Sequence, residues 1–185
     1  MKLHTDVVPT QSIYRQLLQA MAHPCRPYEV DAGEWPSLRM AVAETLLDHE
    51  VSFALHESAP SDWDAEIFQA TKALQSSWEH ADYLFVSGND TGGDLLRAKR
   101  GEFLFPDKGA TLVYVMEELP PAVAVKISGP GLQKEAPPGV NPFSLEEWKG
   151  FKENTDTYPL GVDAICLVGN SQLIALPRST QISWD

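Results

Sequence analysis

Near its end the chain reads YPLGVDAICLVGNSQLIALPRST, with Asp163 before one apolar run and Arg178 after a second. An arginine fork can hold a phosphate or a carboxylate through two parallel hydrogen bonds. A carboxylate at the mouth of an apolar strand is costly unless a backbone amide or a basic side chain meets it. If the two runs pair as a hairpin, Asp163 and Arg178 fall at the same open end. Two chemistries then compete: an Asp163–Arg178 ion pair, or an anion site built on Arg178.

Other constellations carry less. SGPGL (128–132) could aim backbone amides at an anion, which makes Ser128, Gly129 and Gly131 candidates for an anion-facing loop. It lacks the GxGxxG continuation and precedes a loop, so it reads better as a tight turn than as a dinucleotide fingerprint. GNDTGGD (88–94) spaces Gly88 and Gly93 as a Walker motif does, but Asp94 stands where the phosphates need a lysine. It reads as a strand-to-helix turn. His4, His23, His49, His56 and His80 form no HxxxH or HExxH pair, and His49-Glu50 and His56-Glu57 read as charges at element ends rather than metal ligands. GxSxG is absent. Glu117-Glu118 and Glu146-Glu147 read as solvent-facing or capping groups, not as an acid–base couple. No catalytic residue, metal or cofactor is assigned.

The elements that must position these residues alternate between helix and strand. After an extended Val7-Val8-Pro9, Ile13, Leu17, Leu18 and Met21 share one helical face, and His23-Pro24 ends that helix. A second helix is expected from Ser37 to Asp48, with Leu38, Val42, Thr45 and Leu46 inward. VSFAL (51–55) predicts a strand. Ser61 and Asp64 predict a capping box, followed by Trp63, Ile67, Ala70 and Leu74 on one face. DYLFV (82–86) predicts a buried strand, and a short helix is expected around 93–99. Leu112 to Met116 is apolar on both faces, as in a strand covered by helices on both sides. AVAVKIS (122–128), after Pro120-Pro121, predicts a hairpin with that strand. GPGLQKEAPPGVNP (129–142) reads as a long loop. Ser144 and Glu147 predict another capping box, opening a helix to about Asn154. The last two runs predict a hairpin across Gly169-Asn170. The whole, residues 1–185, reads as one α/β domain.

Composition bounds the function classes. Apolar residues make up 43% and charged residues 22%, and 26 acidic against 14 basic residues give a net charge of −12. A nucleic-acid binder needs a basic face to displace counterions. The only local basic cluster, LLRAKR with Arg97, Lys99 and Arg100, reads as a solvated surface near a helix end, so nucleic acid is not an expected partner. No basic-then-apolar leader and no run of about 18 apolar residues is present, which points to the cytoplasm and away from the membrane. Cys25 lies in a proline-flanked turn and Cys166 in an apolar strand; Cys166 reads as a buried small hydrophobe, and a cytoplasmic thiol pair stays reduced.

Four stretches together carry a resemblance. YPLGVDAICLVGNSQLIALPRST is similar to the C-terminal signature of the H subunit family of the bacterial carbon–phosphorus lyase system. YRQLLQAMAHPC resembles that family's N-terminal helix and turn, PDKGATLVYVMEEL its PExGATL strand, and ISGPGL its LSGPGI turn. The motifs fall in order from residue 14 to residue 180. Cys25 departs from the glycine the family often has after proline, and residues 56–105 align poorly.

The resemblance implies a three-layer α/β/α sandwich with a mixed sheet, similar to the large domain of pyridoxal-phosphate-dependent transferases but without the cofactor. No lysine, neither Lys108 nor Lys126, sits in a context that marks a Schiff-base former. The resemblance also implies a homodimer in isolation and an accessory subunit acting with G, I, J and L subunits in phosphonate catabolism. With G, I and L the family supports transfer of an alkylphosphonate to ribose C1 of ATP with release of adenine. The J subunit then cleaves the carbon–phosphorus bond by iron–sulfur radical chemistry, for which this chain has no cysteine cluster. The alternative is a stand-alone phosphate- or nucleotide-binding protein with its site near Arg178.

Overall fold

The computed structural model describes residues 7–132 and 139–184. Along the chain run α1 (Val7–Ala22), β1 (Tyr28–Glu29), α2 (Leu38–Leu46), β2 (Ser52–Leu55), α3 (Asp62–Thr71), β3 (Leu74–Gln75), β4 (Tyr83–Ser87) and a 3₁₀ turn (Asp94–Arg97). Then come β5 (Arg100–Glu102), β6 (Phe105–Gly109), β7 (Thr111–Met116), β8 (Lys126–Ser128), α4 (Leu145–Thr155), β9 (Asp163–Val168), β10 (Gln172–Leu176) and β11 (Gln181–Ser183). His4 and residues 133–138 of the proline-rich loop lie outside the described residues.

Seven strands form one mixed sheet in the order β1-β10-β9-β7-β4-β2-β3. The five from β9 to β3 are parallel, while β10 runs antiparallel to β9 and β1 antiparallel to β10. Successive side chains on a strand point to opposite faces, and here both faces are apolar. Leu84, Val86, Leu112, Tyr114, Ala164 and Cys166 pack with Trp148 and Phe151 of α4 and with Ile127 and Ile182. Phe85, Val113, Ile165 and Leu167 pack with Ile13 and Leu17 of α1, with α2 and with Ile67 of α3. Three helices therefore cover one face. The other is covered by α4 and a two-stranded sheet of β8 and β11.

Several expectations are corrected. Val7–Pro9 is the first turn of α1, not extended; proline is tolerated there because first-turn amides lack helical acceptors. Leu18 is 51% exposed, and Ala20 takes the inward position. Ser61 makes no side-chain cap bond and has an αR backbone; Asp64 instead accepts from Gln75. Ala70 is exposed, and α3 ends at a left-handed Lys72, which leaves Leu74 on the edge strand β3, 58% exposed. The helix foreseen at 93–99 is the four-residue 3₁₀ turn. AVAVKIS forms no hairpin with β7: only Lys126–Ser128 is a strand, and it pairs with β11. The β9–β10 hairpin forms as expected, with Gly169 at φ 55° in its turn.

Candidate functional site

At the N-terminal end of β9, Asp163 accepts from the Arg178 backbone amide at 2.8 Å and from its Nε at 3.0 Å. A terminal guanidinium nitrogen of Arg178 reaches the same carboxylate at 2.5 Å. The hairpin register explains the meeting, because Leu176 pairs with Ala164, which carries residues 163 and 178 beyond the ladder on the same side. The rest of the fork faces backbone: it donates to the Pro106 carbonyl at 2.5 Å and, at 3.5 Å, to that of Gly109. Both belong to β6, so the arginine ties the β5–β6 hairpin to the sheet. Arg178 lies so close to Gly109 that a Cβ there would meet its guanidinium at 2.4 Å and the Gly161 carbonyl at 2.3 Å. Only glycine admits that approach.

The SGPGL turn follows β8, whose Ser128 pairs with Gln181. Gly129 has φ 128°, its carbonyl accepts from Leu132, and Ser128 faces Gln181 at 3.5 Å. A Cβ on Gly131 would strike the Ala22 carbonyl at 2.1 Å. The turn thus packs against the end of α1 and the β10–β11 connection, where Gly129 lies against Ser179, while the hydrogen bonds of Arg178 go to Asp163, Pro106 and Gly109. Cys25, in the turn after α1, adopts φ 56°, a conformation glycine favours. Both cysteines are buried and free; burial pushes the Cys25 thiol up to about 12 and raises that of Cys166 as well.

A second polar cluster lies after β4, where the loop meets α4. Ser144 caps α4 by accepting from the Glu147 amide at 3.1 Å, so half of the expected capping box forms. The Glu147 carboxylate does not turn back to Ser144 or face solvent. It is 1% exposed and accepts from Tyr114, from the Thr91 amide at 3.1 Å and from the Thr91 hydroxyl at 3.0 Å. No cation pairs with it among the described residues. Burial raises its pKa above the ordinary 4.5, against the lowering effect of those hydrogen bonds. Burial, with Glu147 beside it, also pushes the Tyr114 phenol up. Next to it, Asp90 accepts from Ser144 and from the Gly92 amide, which closes the GNDTGGD turn.

In the LLRAKR cluster Arg97 is exposed at the end of the 3₁₀ turn, as expected, whereas Lys99 and Arg100 are half-buried. Arg97 pairs with Glu79 and Asp94, and Lys99 with Asp82 at 2.5 Å. Asp82 also accepts from Ser52; burial opposes its ionisation, but Lys99 and Ser52 outweigh it and lower its pKa. Lys99 and Arg100 then line a cleft of about 450 Å³ with His80, Phe105 and Lys108. His49 and Glu50 are exposed. His56 packs against Trp78 with the rings tilted by 59° and bonds Ser58 at 2.9 Å, and no metal-sized group of ligating residues exists among the described residues.

Sequence reasoning missed Glu147 and Tyr114. The available signal was Tyr114 itself, an inward tyrosine on a strand apolar on both faces, whose hydroxyl needs a partner when buried.

The chain is a mixed α/β fold in which Arg178 is locked to the start of the C-terminal hairpin. Residues 2–183 match the family described as "Bacterial phosphonate metabolism protein (PhnH)", and the chain belongs to it. It is also 30% identical over 177 residues to a Stutzerimonas stutzeri protein named "Putative C-P lyase subunit protein HtxG", covering 94% of this chain and 85% of that one.

Proposed function

We propose that this chain is a single-domain accessory subunit of a bacterial carbon–phosphorus lyase assembly, working with G, I, J and L subunits in phosphonate catabolism. The observation that carries the reading is the likeness, over nearly the whole chain, to a protein named as a subunit of that lyase. In this reading the assembly moves an alkylphosphonate onto ribose C1 of ATP and releases adenine. This chain supports that step without supplying the reacting groups, adopts a fold related to pyridoxal-phosphate-dependent transferases, and resides in the cytoplasm. No described helix is long and apolar enough to cross a membrane. Alone it forms a homodimer.

Asp163 and Arg178 serve this fold structurally. The fork is engaged by one carboxylate and two backbone carbonyls, which leaves little of it for a phosphate. Co-expression with tagged G, I, J and L subunits tests the assembly: stoichiometric co-purification is expected, and elution of this chain by itself would sink the reading. Size-exclusion chromatography with light scattering tests the homodimer.

A further inference from the structure

In a chain with 26 acidic and 14 basic residues, cations have carboxylates to choose from. Arg97 and Lys99 take them. Arg100 and Lys108 form no ion pair among the described residues, and both face the cleft of about 450 Å³ between the Ser77–His80 turn and the β5–β6 hairpin. Lys99, already paired with Asp82, enters the same cleft, so two cations without an ion pair and one paired ammonium converge there. Two carboxylates also line it. Glu79 is engaged by Arg97, and Glu102 is exposed on β5.

The wall that carries Arg100, Phe105 and Lys108 is fixed in place. Arg178 holds β6 through the Pro106 and Gly109 carbonyls. The Gly161 amide donates to the Arg100 carbonyl at 2.9 Å, and the Ala110 amide to that of Lys99 at 2.7 Å. Pre-organised donors lower the ordering cost of binding. The cleft's size is that of a small-molecule site and exceeds what a single phosphate fills. Phe105, 55% exposed at its margin, offers a ring face to a planar group.

We propose that this cleft binds an oligophosphate anion through Arg100, Lys108 and Lys99, either inorganic triphosphate or the phosphate arm of a nucleotide. The site belongs to the isolated chain, so it stands or falls independently of the lyase assembly. Titration calorimetry of the full chain with tripolyphosphate, and separately with ATP, tests it at two salt concentrations. Saturable one-site binding that weakens with salt is expected. Each of Arg100→Gln and Lys108→Gln should weaken it about tenfold, as loss of one charge-assisted hydrogen bond does. Arg15→Gln, on the exposed face of α1, should leave it unchanged. If ATP binds more tightly than tripolyphosphate and Phe105→Ala removes the difference, the ligand is a nucleotide. Equal binding assigns the inorganic anion. Absence of saturable binding up to millimolar ligand, or equal weakening by all three charge variants with circular dichroism unchanged, overturns the proposal.

Discussion

At the start of β9, Asp163 faces a guanidinium; beyond β4 and behind α4, Glu147 faces a phenol, a hydroxyl and an amide. Asp163 lies opposite a fixed positive charge at a partly solvated edge, where the two side chains are 21% and 14% exposed. Glu147 is sealed in with neutral donors, and burial pushes it toward its protonated form. One carboxylate locks two segments by charge. The other completes a hydrogen-bond network between a loop, a strand and a helix, and tolerates losing its charge. The two corners should therefore answer to opposite substitutions.

The largest effect is expected at the charged corner. Arg178→Ala leaves Asp163 without its cation and removes the side-chain tie to β6, loosening the β5–β6 hairpin, so denaturant melts should show a loss of about 3 kcal/mol. Limited proteolysis should open new cuts within residues 100–109, and an uncut hairpin would break the anchoring argument. Gly109→Ala sharpens the same point without touching charge. Its Cβ would collide with Arg178 and the Gly161 carbonyl, which should cost about 1–3 kcal/mol.

At the neutral corner, Glu147→Ala strands the Tyr114 and Thr91 donors and should cost about 2 kcal/mol. Glu147→Gln retains a carbonyl for the Tyr114 hydroxyl and should stay within about 1 kcal/mol of the wild type. Its pH dependence separates the corners further. Because the folded-state pKa of Glu147 lies above 4.5, the wild type is favoured below that pH and loses this increment as pH rises through the folded value. The stability difference, wild type minus Glu147→Gln, should fall with rising pH from about 4.5; a flat difference would mean that the carboxylate is not raised. The smallest effect is expected for the exposed pair Lys152–Asp156, where Lys152→Ala should change stability by less than about 0.5 kcal/mol.

Which parts were legible follows from how local their causes are. The β9–β10 hairpin could be read because two apolar runs flank Gly169-Asn170, and Asp163 could be read as needing a partner because an unpaired carboxylate at an apolar strand is costly. The backbone acceptors of Arg178 could not be read, since β6 is 69 and more positions away in sequence. β1 and β3, at two residues each, are too short to show alternation. β8 pairs with a strand 53 positions further on, and no turn residue marks such a distance. Glu147 looked like the reciprocal half of a capping box, and its backbone does behave so. Its side chain is redirected by Thr91, 56 positions earlier, which local pattern cannot reveal.

The two-residue edges of the main sheet carry a consequence for association. A neighbouring chain can extend a sheet only where a row of unpaired amides and carbonyls is long enough to template it. Tyr28–Glu29 at one margin and Leu74–Gln75 at the other offer almost no such row. At these two margins a companion would have to recognise side chains rather than add a strand, and the central sheet is poorly templated for growth.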